Sequence, residues 1–404
     1  MNKAIKDEMT KGGVDWLLLL GRRDSSPDIR YLMGGLTFAD PIIAVKRGEE
    51  PVFVHEMMES EEAAQSGKRT ICRDEIIPRR DLLALPEEER TGAFLGALIK
   101  RLKIGGRVLV LGREEPQKSF LVYEELKRSE GIEIAPYGLS SLVKRARETK
   151  TPEEADLVRR ASRKIVRIFS EIEGYLSRGF LRNGMFHDEY GKEASIGDLK
   201  EIAARVSAEE GLSRREPPII AMGRDAASPH MRGNNSMALE AGKTIVADIS
   251  PSDETTSYFS DMTRTYCLGK APDRIMSLYK DVKDAYDRAV SLVRAGERLS
   301  APDDAVSDLF RERGHKTSRD NPGTTEGYVH SLGHGVGLEI HELPSVSHRN
   351  RSGFFRPSTT FTIEPGLYYG SMEAGIRLED TFYLDPDGRP ENLTAHPMQF
   401  EILK

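Results

Sequence analysis

Cysteine is scarce in this chain of 404 residues, which contains two, Cys72 and Cys267. Two cysteines cannot form a disulfide framework, and neither has the CxxC spacing of a metal or redox site. The apolar run near the N-terminus, VDWLLLL, is far too short for a signal-peptide core or a membrane span. Basic residues form no block, and the formal net charge is only −6, so no nucleic-acid partner is indicated. We therefore expect a cytoplasmic protein that acts without a membrane or a nucleic acid.

The length and composition are those of a globular chain with two domains. Residues 1–145 alternate strand-like runs such as PIIAV and PVFVH with amphipathic stretches, and RGEE between these two runs predicts a hairpin turn. Thr151-Pro152-Glu153-Glu154 predicts the start of a long helix, with Thr as N-cap and a capping box. We therefore predict an N-terminal α/β domain over residues 1–145 and a second domain over residues 150–404. The polar segment 174–215 is expected to be irregular.

The stretch HSLGHGVGLEIHE contains three histidines, His330, His334 and His341, together with three glycines. His330 and His334 have the spacing of a zinc-protease helix, but the Glu that such a helix needs after the first His is Ser331 here. Each glycine also disfavours a helix by about 1 kcal/mol relative to Ala. We therefore expect a loop that runs into a strand over GLEIHE. A single histidine is more often structural than functional, so the stretch indicates chemistry only if it has partners.

Acidic partners lie on both sides of it in the chain. Four strand-like segments carry the candidate acids: Asp248 in TIVADIS, Asp261 in SYFSDMTRTY, Glu364 in TFTIEPGLYY and Glu379 in GIRLEDTFYL. Each consecutive pair of segments is predicted to form a two-stranded unit. A buried acid is costly unless it is paired or binds a metal. Four acids at matched positions, with one histidine, therefore indicate a metal site.

These residues carry a family resemblance. The order Asp248, Asp261, His334, Glu364, Glu379, within SDMTRT, GHGVGLEIHE, TIEPG and GIRLED, resembles the prolidase and aminopeptidase P branch of the M24 metallopeptidases. The likeness covers most of residues 150–404 and, more loosely, the N-terminal part. It implies an α/β (α+β) protein with an N-terminal creatinase/prolidase-type α/β domain followed by a C-terminal pita-bread catalytic domain. It also implies a homodimer and, relative to the usual family pattern, an insertion within residues 180–197.

The resemblance assigns five metal ligands. Asp248 binds one ion, Asp261 and Glu379 bridge two ions, and His334 and Glu364 bind the other. Such an oxygen-rich set favours Mn²⁺ or Co²⁺, with Zn²⁺ as the alternative. Five ligands exceed what one tetrahedral ion with an open position accepts, so they suit two ions about 3.5–4 Å apart that share a hydroxide.

Other residues match positions near the substrate in the same family. Glu364 would also act as general acid and base, and His341 would hydrogen-bond the tetrahedral intermediate. His230 would lie beside the substrate and assist binding or proton transfer, whereas His330 and Arg377 would line the pocket. We further expect two threonines to orient the bridging acids through their hydroxyls, Thr263 and Thr381.

The activity implied by the resemblance is hydrolysis of the Xaa-Pro bond, in dipeptides or at the N-terminus of longer peptides. Two departures from the family pattern affect this expectation. The connection after Asp248 is longer by about two residues, and Ser345 replaces an arginine that binds the substrate carboxylate in many dipeptidases. Arg349 or Arg351 could substitute for it. The alternatives are a creatinase-like C–N hydrolase that needs no metal, a methionine aminopeptidase, and a non-catalytic pseudo-peptidase that binds peptides.

Overall fold

The backbone contacts divide the chain into two units, residues 1–147 and 148–404. The structure is a computed structural model that describes residues 3–139, 141–213 and 217–403. Among these residues, no helix combines the length and the apolar character needed to cross a bilayer.

The first unit is built on a six-stranded mixed sheet with the order β4-β3-β2-β1-β5-β6. Its strands are β1 (Trp16–Gly21), β2 (Ile42–Lys46), β3 (Val52–His55), β4 (Arg69–Cys72), β5 (Gly106–Arg113) and β6 (Ile132–Ile134). Its helices are α1 (Lys3–Gly12), α2 (Pro27–Met33), α3 (Ser60–Gln65), α4 (Arg73–Ile76), α5 (Arg79–Leu83), α6 (Glu87–Leu102), α7 (Pro116–Arg128) and α8 (Leu142–Glu148). Every residue of the central strand β1 is buried, as expected for a strand covered on both faces. The predicted hairpin is confirmed, because β2 and β3 pair antiparallel.

The second unit contains two larger sheets, with the orders β10-β11-β13-β21 and β15-β14-β16-β19-β20. Its strands are β7 (Phe180–Arg182), β8 (Met185–His187), β9 (Leu212–Ser213), β10 (Ile219–Met222), β11 (Thr244–Ile249), β12 (Ser252–Asp253), β13 (Met262–Leu268), β14 (Gly333–Gly335), β15 (Glu342–Val346), β16 (Thr359–Ile363), β17 (Gly366–Tyr369), β18 (Ala374–Arg377), β19 (Asp380–Leu384), β20 (Pro390–Asn392) and β21 (Glu401–Ile402). Its helices are α9 (Pro152–Arg178), α10 (Ile196–Glu209), α11 (Asp273–Ser291) and α12 (Ala301–Glu312).

Helix α9 begins where the sequence predicted. The Thr151 side chain accepts a hydrogen bond from the Glu154 N–H, and the Glu154 side chain completes the capping box. One stripe of α9 is buried and includes Val158, Ala161, Ile165, Ile168 and Ile172. The three isoleucines of this stripe pack with α10 against the first of the two sheets. Helix α11 packs against the second sheet in a separate apolar cluster.

Two local predictions were wrong. Residues 174–213 are not irregular, because they contain the end of α9, the hairpin β7–β8 and helix α10, whereas residues 214 and 215 lie outside the described part of the chain. Asn183 and Gly184 at the hairpin turn both have positive φ, and Asn-Gly is a strong signal for such a turn. The stretch GLEIHE is also not a strand. His334 itself lies on the short strand β14, the chain turns through residues 337–341, and β15 begins only at Glu342.

Candidate metal centre

Each of the two acid pairs lies on a pair of antiparallel neighbours, as the sequence predicted. Asp248 is on β11, and Asp261 directly precedes its partner β13. Glu364 directly follows β16, and Glu379 directly precedes its partner β19.

A single bridge joins the two sheets at this point. The Thr263 N–H donates to the Glu379 carbonyl at 3.4 Å, and the Glu379 N–H donates to the Thr263 carbonyl at 3.1 Å. Thr263 is in turn the direct antiparallel neighbour of Asp248. Because the bridge lies at the ends of both strand pairs, it brings acids from distant parts of the sequence into one cluster.

The histidine of β14 completes this cluster. His334 Nε2 lies 3.4 Å from Glu364 Oε1 and 3.6 Å from Asp261 Oδ2. One ligand atom from each of Asp261, His334 and Glu379 can be chosen so that all three lie within 4.8 Å of one another. These three side chains can therefore hold one ion together, and Glu364 borders the same space.

The carboxylates of the cluster are electrostatically unfavourable when no cation is present. Burial, followed by the charge of Glu379, raises the pKa of Asp261 and of Glu364 well above the ordinary range. Burial and the charge of Asp248 raise the pKa of Glu379 to about 8. Asp261 Oδ1 and Glu379 Oε1 are buried and accept no hydrogen bond. Buried carboxylate oxygens without donors are rare in proteins unless a cation satisfies them, so this donor set fits a divalent metal.

His334 is held in the form that a metal requires. Its Nδ1 lies 3.2 Å from the Gly335 carbonyl, which can only accept, so the proton belongs on Nδ1 and the Nε2 lone pair faces the carboxylates. Burial and the nearby His341 lower the pKa of His334 to about 3. The imidazole is therefore neutral at physiological pH.

The two threonines contact the acids of the opposite strand pair. The Thr263 hydroxyl donates to Glu379 Oε2 at 2.6 Å. The Thr381 hydroxyl instead contacts the backbone of Asp261, accepting from its N–H at 3.2 Å and donating to its carbonyl at 2.8 Å. Thr263 therefore orients a carboxylate directly, whereas Thr381 fixes the main chain that carries one.

Residues 156–386 match the sequence profile of metallopeptidase family M24. The chain belongs to this family. Membership of a metallopeptidase family implies divalent metal ions, in agreement with the donor set of the cluster.

Individual relatives of this M24 protein share only a low sequence identity with it. The Xaa-Pro dipeptidase of Pyrococcus furiosus is 32% identical over 193 residues, which is 47% of this chain and 51% of that protein. The alignment thus spans about half the length of that relative. In fold, the chain is similar to an Xaa-Pro dipeptidase from Bacillus anthracis, with a TM-score of 0.76, 22% identity and 99% and 98% of the two chains covered. It is also similar to an X-Pro aminopeptidase from Thermotoga maritima, with a TM-score of 0.75, 22% identity and 98% and 100% covered. These likenesses confirm the expected fold of this M24 protein.

The structure also locates the histidines expected near the substrate. His330 Nε2 lies 3.0 Å from the Tyr368 hydroxyl, and burial with the charge of Arg377 lowers the pKa of His330 to about 4. The ring of His341 is exposed and lies edge-on to that of His334, with the ring centres 4.4 Å apart. His230 lies in an exposed loop after β10, and it contributes in a small part to the lowered pKa of His330.

Arg377 is more deeply buried than a residue that only lines a substrate pocket. Only 4% of its surface is exposed. It pairs with Asp248, donates to the Tyr368 hydroxyl at 2.7 Å and contacts the Thr263 hydroxyl at 3.4 Å. The guanidinium therefore orients Asp248 from inside the protein.

Sequence reasoning missed two residues beside the cluster. Tyr368 on β17 connects Arg377 to His330, as described above, and a tyrosine in an apolar strand gave no separate signal. Arg264, which is 1% exposed, pairs with Asp380 at 2.8 Å and donates to the Glu379 carbonyl at 2.7 Å. The signal for Arg264 in the sequence is its charge, because the other residues of the run MTRTYCL are apolar or carry hydroxyl groups.

Proposed function

We propose that this M24 protein is a two-metal peptidase that hydrolyses the bond between an N-terminal residue and proline. One observation carries the proposal: buried carboxylate oxygens of Asp261 and Glu379, without hydrogen-bond donors, lie next to the unprotonated nitrogen of His334. The similarity to an Xaa-Pro dipeptidase and to an X-Pro aminopeptidase supports the substrate class. Cleavage of an Xaa-Pro bond calls for a dedicated enzyme, because this bond is a tertiary amide without an N–H and general peptidases handle it poorly.

In this proposal Asp261 and Glu379 would help to hold both ions, His334 and Glu364 would hold one of them, and Asp248 would hold the other. The distances of 3.4 and 3.6 Å from His334 to Glu364 and Asp261 support that grouping. The oxygen-rich set favours Mn²⁺ or Co²⁺, with Zn²⁺ as the alternative. When bound, such ions polarise the scissile carbonyl and activate water near neutral pH.

The side chains around the cluster then handle protons and orientation. Glu364 accepts the proton of the attacking water at its carboxylate and passes it to the leaving proline nitrogen. His341, exposed beside His334, donates a hydrogen bond to the oxygen of the tetrahedral intermediate. His330 is neutral and receives the Tyr368 O–H on Nε2, since its Nδ1 faces the Ser331 carbonyl at 2.8 Å. His230 and His330 border the substrate, and Arg377 acts through Asp248.

The length of the substrate depends on what replaces the family arginine at Ser345. Arg351 is engaged on the surface, where it pairs with Asp304 at 2.5 Å. Arg349 is exposed and has no acidic partner in the part of the chain that the structure describes. Without a fixed cation at position 345, we infer that the enzyme accepts peptides longer than two residues. We also infer a cytoplasmic homodimer, and two buried free cysteines are consistent with a reducing compartment.

The test uses metal-stripped protein resupplied separately with Mn²⁺, Co²⁺ and Zn²⁺, and assayed on an Xaa-Pro dipeptide and an Xaa-Pro-Xaa tripeptide. We expect Mn²⁺ or Co²⁺ to restore cleavage of the Xaa-Pro bond, with a preference for the tripeptide. Glu364→Gln should lower kcat by about 10² or more, the usual contribution of acid–base catalysis. Asp261→Ala should lose two-metal occupancy and activity together.

Two other outcomes would contradict the proposal. If two ions are bound and neither peptide is cleaved, the proposal fails and a different C–N hydrolase or a peptide-binding pseudo-peptidase takes its place. Turnover by protein shown to be metal-free would favour the creatinase-like alternative.

A further inference from the structure

The outer face of helix α9 carries an unusual density of positive charge. Arg160, Arg163, Lys164 and Arg167 follow one another at spacings of three, one and three residues, which places them on neighbouring positions of one helix face. The three arginines are exposed, whereas Lys164 is partly buried. Like charges at these spacings repel one another, so the face needs counter-charges.

In the part of the chain that the structure describes, two of these four cations have an acidic partner. Lys164 pairs with Asp253 at 2.5 Å, and Arg167 pairs with Glu210 at 2.7 Å. Within residues 3–139, 141–213 and 217–403, neither Arg160 nor Arg163 has an acidic partner. Two guanidinium groups, three residues apart, are therefore available to an external anion.

These groups line a half-open cavity on the surface. A space of about 480 Å³ lies between this face of α9 and the segment 253–256, and both free arginines border it. Among the described residues that line it, four cations and two carboxylates leave two positive charges. Both carboxylates are already paired, so the excess charge is not cancelled within the cavity.

The opposite wall is fixed in place and offers a hydroxyl. Asp253 Oδ1 accepts hydrogen bonds from the Thr255 N–H at 3.1 Å and the Thr256 N–H at 2.9 Å, while its other oxygen binds Lys164. Thr255 is exposed and also lines the cavity. This wall belongs to the connection between β11 and β13, which the family resemblance predicts to be longer than usual.

We propose that this cavity binds a doubly charged tetrahedral oxyanion of the phosphate class. The planar fork of a guanidinium matches the oxygens of such a group with paired, charge-assisted hydrogen bonds. Two free guanidiniums and the hydroxyl of Thr255 supply donors from both walls, and two negative charges neutralise the excess. The cavity is separate from the metal cluster and contains none of its ligands.

The test is a titration of the metal-loaded protein with sodium sulfate, a tetrahedral dianion, with ionic strength held constant by sodium chloride. Calorimetry on the wild type should show saturable binding. Arg160→Gln/Arg163→Gln should weaken this binding at least tenfold, since each charge-assisted contact is worth about one order of magnitude or more in affinity. Arg274→Gln/Lys280→Gln, which removes the same charge from an exposed face of α11, should bind sulfate like the wild type.

Hydrogen exchange gives a second readout that does not depend on a variant. Saturating sulfate should slow exchange in residues 253–256 of the wild type and leave α11 unchanged.

Inorganic phosphate and phenyl phosphate, titrated in the same way, distinguish a free ion from a phosphate group on a small molecule by which of them binds more tightly. Equal sulfate binding by the wild type and Arg160→Gln/Arg163→Gln would place the ion elsewhere, including at the metal centre, and overturn the proposal. Unsaturable binding would overturn it as well.

Discussion

At the scale of single residues, the cluster depends on contacts that cross between the two strand pairs. Thr263 follows Asp261 in sequence but donates to Glu379, and Thr381 follows Glu379 but holds the backbone of Asp261. The spacing of two residues correctly placed each threonine on a strand beside an acid. It could not show that each hydroxyl serves the acid of the other pair, because that depends on the bridge between the sheets.

Replacing Thr263 tests whether its hydroxyl orients Glu379 of the other strand pair. Thr263→Val keeps the shape of the side chain but removes the donor to Glu379, so we expect metal affinity to fall about 10- to 100-fold. Metal titration with the two-ion stoichiometry as the readout measures the effect. Thr263→Ser keeps the hydroxyl and should retain most of the affinity. If the Val and Ser variants bind metal equally well, the hydroxyl does not orient Glu379.

At the scale of secondary-structure elements, strand β14 brings His334 to the acids. A Cβ at Gly333 would clash with the Thr362 carbonyl, and one at Gly335 would clash with the Leu343 carbonyl. Glycine therefore allows β14 to lie close between β15 and β16. The glycines that made a helix improbable in the sequence are required for this close approach.

The pairing of β14 with β15 also gives Ser345 a defined position. Ser345 is directly opposite His334, and directly opposed residues of an antiparallel pair project to the same face. A cation at position 345 would therefore face the candidate site. We expect Ser345→Arg to increase kcat/KM for the Xaa-Pro dipeptide relative to the tripeptide by about tenfold, because a charge-assisted bond to a carboxylate contributes about 1.5–3 kcal/mol. Ser345→Gln, which adds length without charge, should leave the ratio near that of the wild type. An unchanged ratio in the Arg variant would mean that position 345 does not face the substrate.

At the scale of the whole molecule, the acid cluster links stability to pH and to metal. The pKa of Glu379 is raised to about 8, and the pKa values of Asp261 and Glu364 are raised by burial and neighbouring charge. In the metal-free folded protein these carboxyls keep protons that the unfolded chain has already released. The free energy of unfolding therefore decreases as pH rises from the unfolded pKa values, near 4, to about 8.

We accordingly expect metal-free protein to lose stability between pH 5 and pH 8, by about 1.4 kcal/mol per pH unit for each proton retained by the folded state. Metal-loaded protein should lose much less, because the ions replace those protons. Guanidinium unfolding at several pH values, with and without metal, measures both slopes. Glu379→Gln should reduce the slope of the metal-free protein. A slope that is the same with and without metal would show that the cluster does not take up protons in this way.

Most of the architecture could be predicted because its signals are local. The capping box at Thr151, the buried stripe of α9 and the hairpin between β2 and β3 each depend on neighbours in sequence. Asn183-Gly184 is an equally local signal for the hairpin β7–β8, although the polar composition around it predicted irregular chain. The strand predicted over GLEIHE was wrong for a different reason: pairing with β16 and β15 stops β14 at Gly335 and starts β15 at Glu342.

The sequence alone determined which residues could form a metal site, because acids in apolar strands are improbable without a partner and their residue types limit the metal. Tertiary structure alone decided how those acids meet. The bridge between Thr263 and Glu379 joins residues 116 positions apart, and Arg377 reaches Asp248 across 129 positions. Periodicity describes only the few residues around each strand, whereas these contacts depend on how two sheets pack.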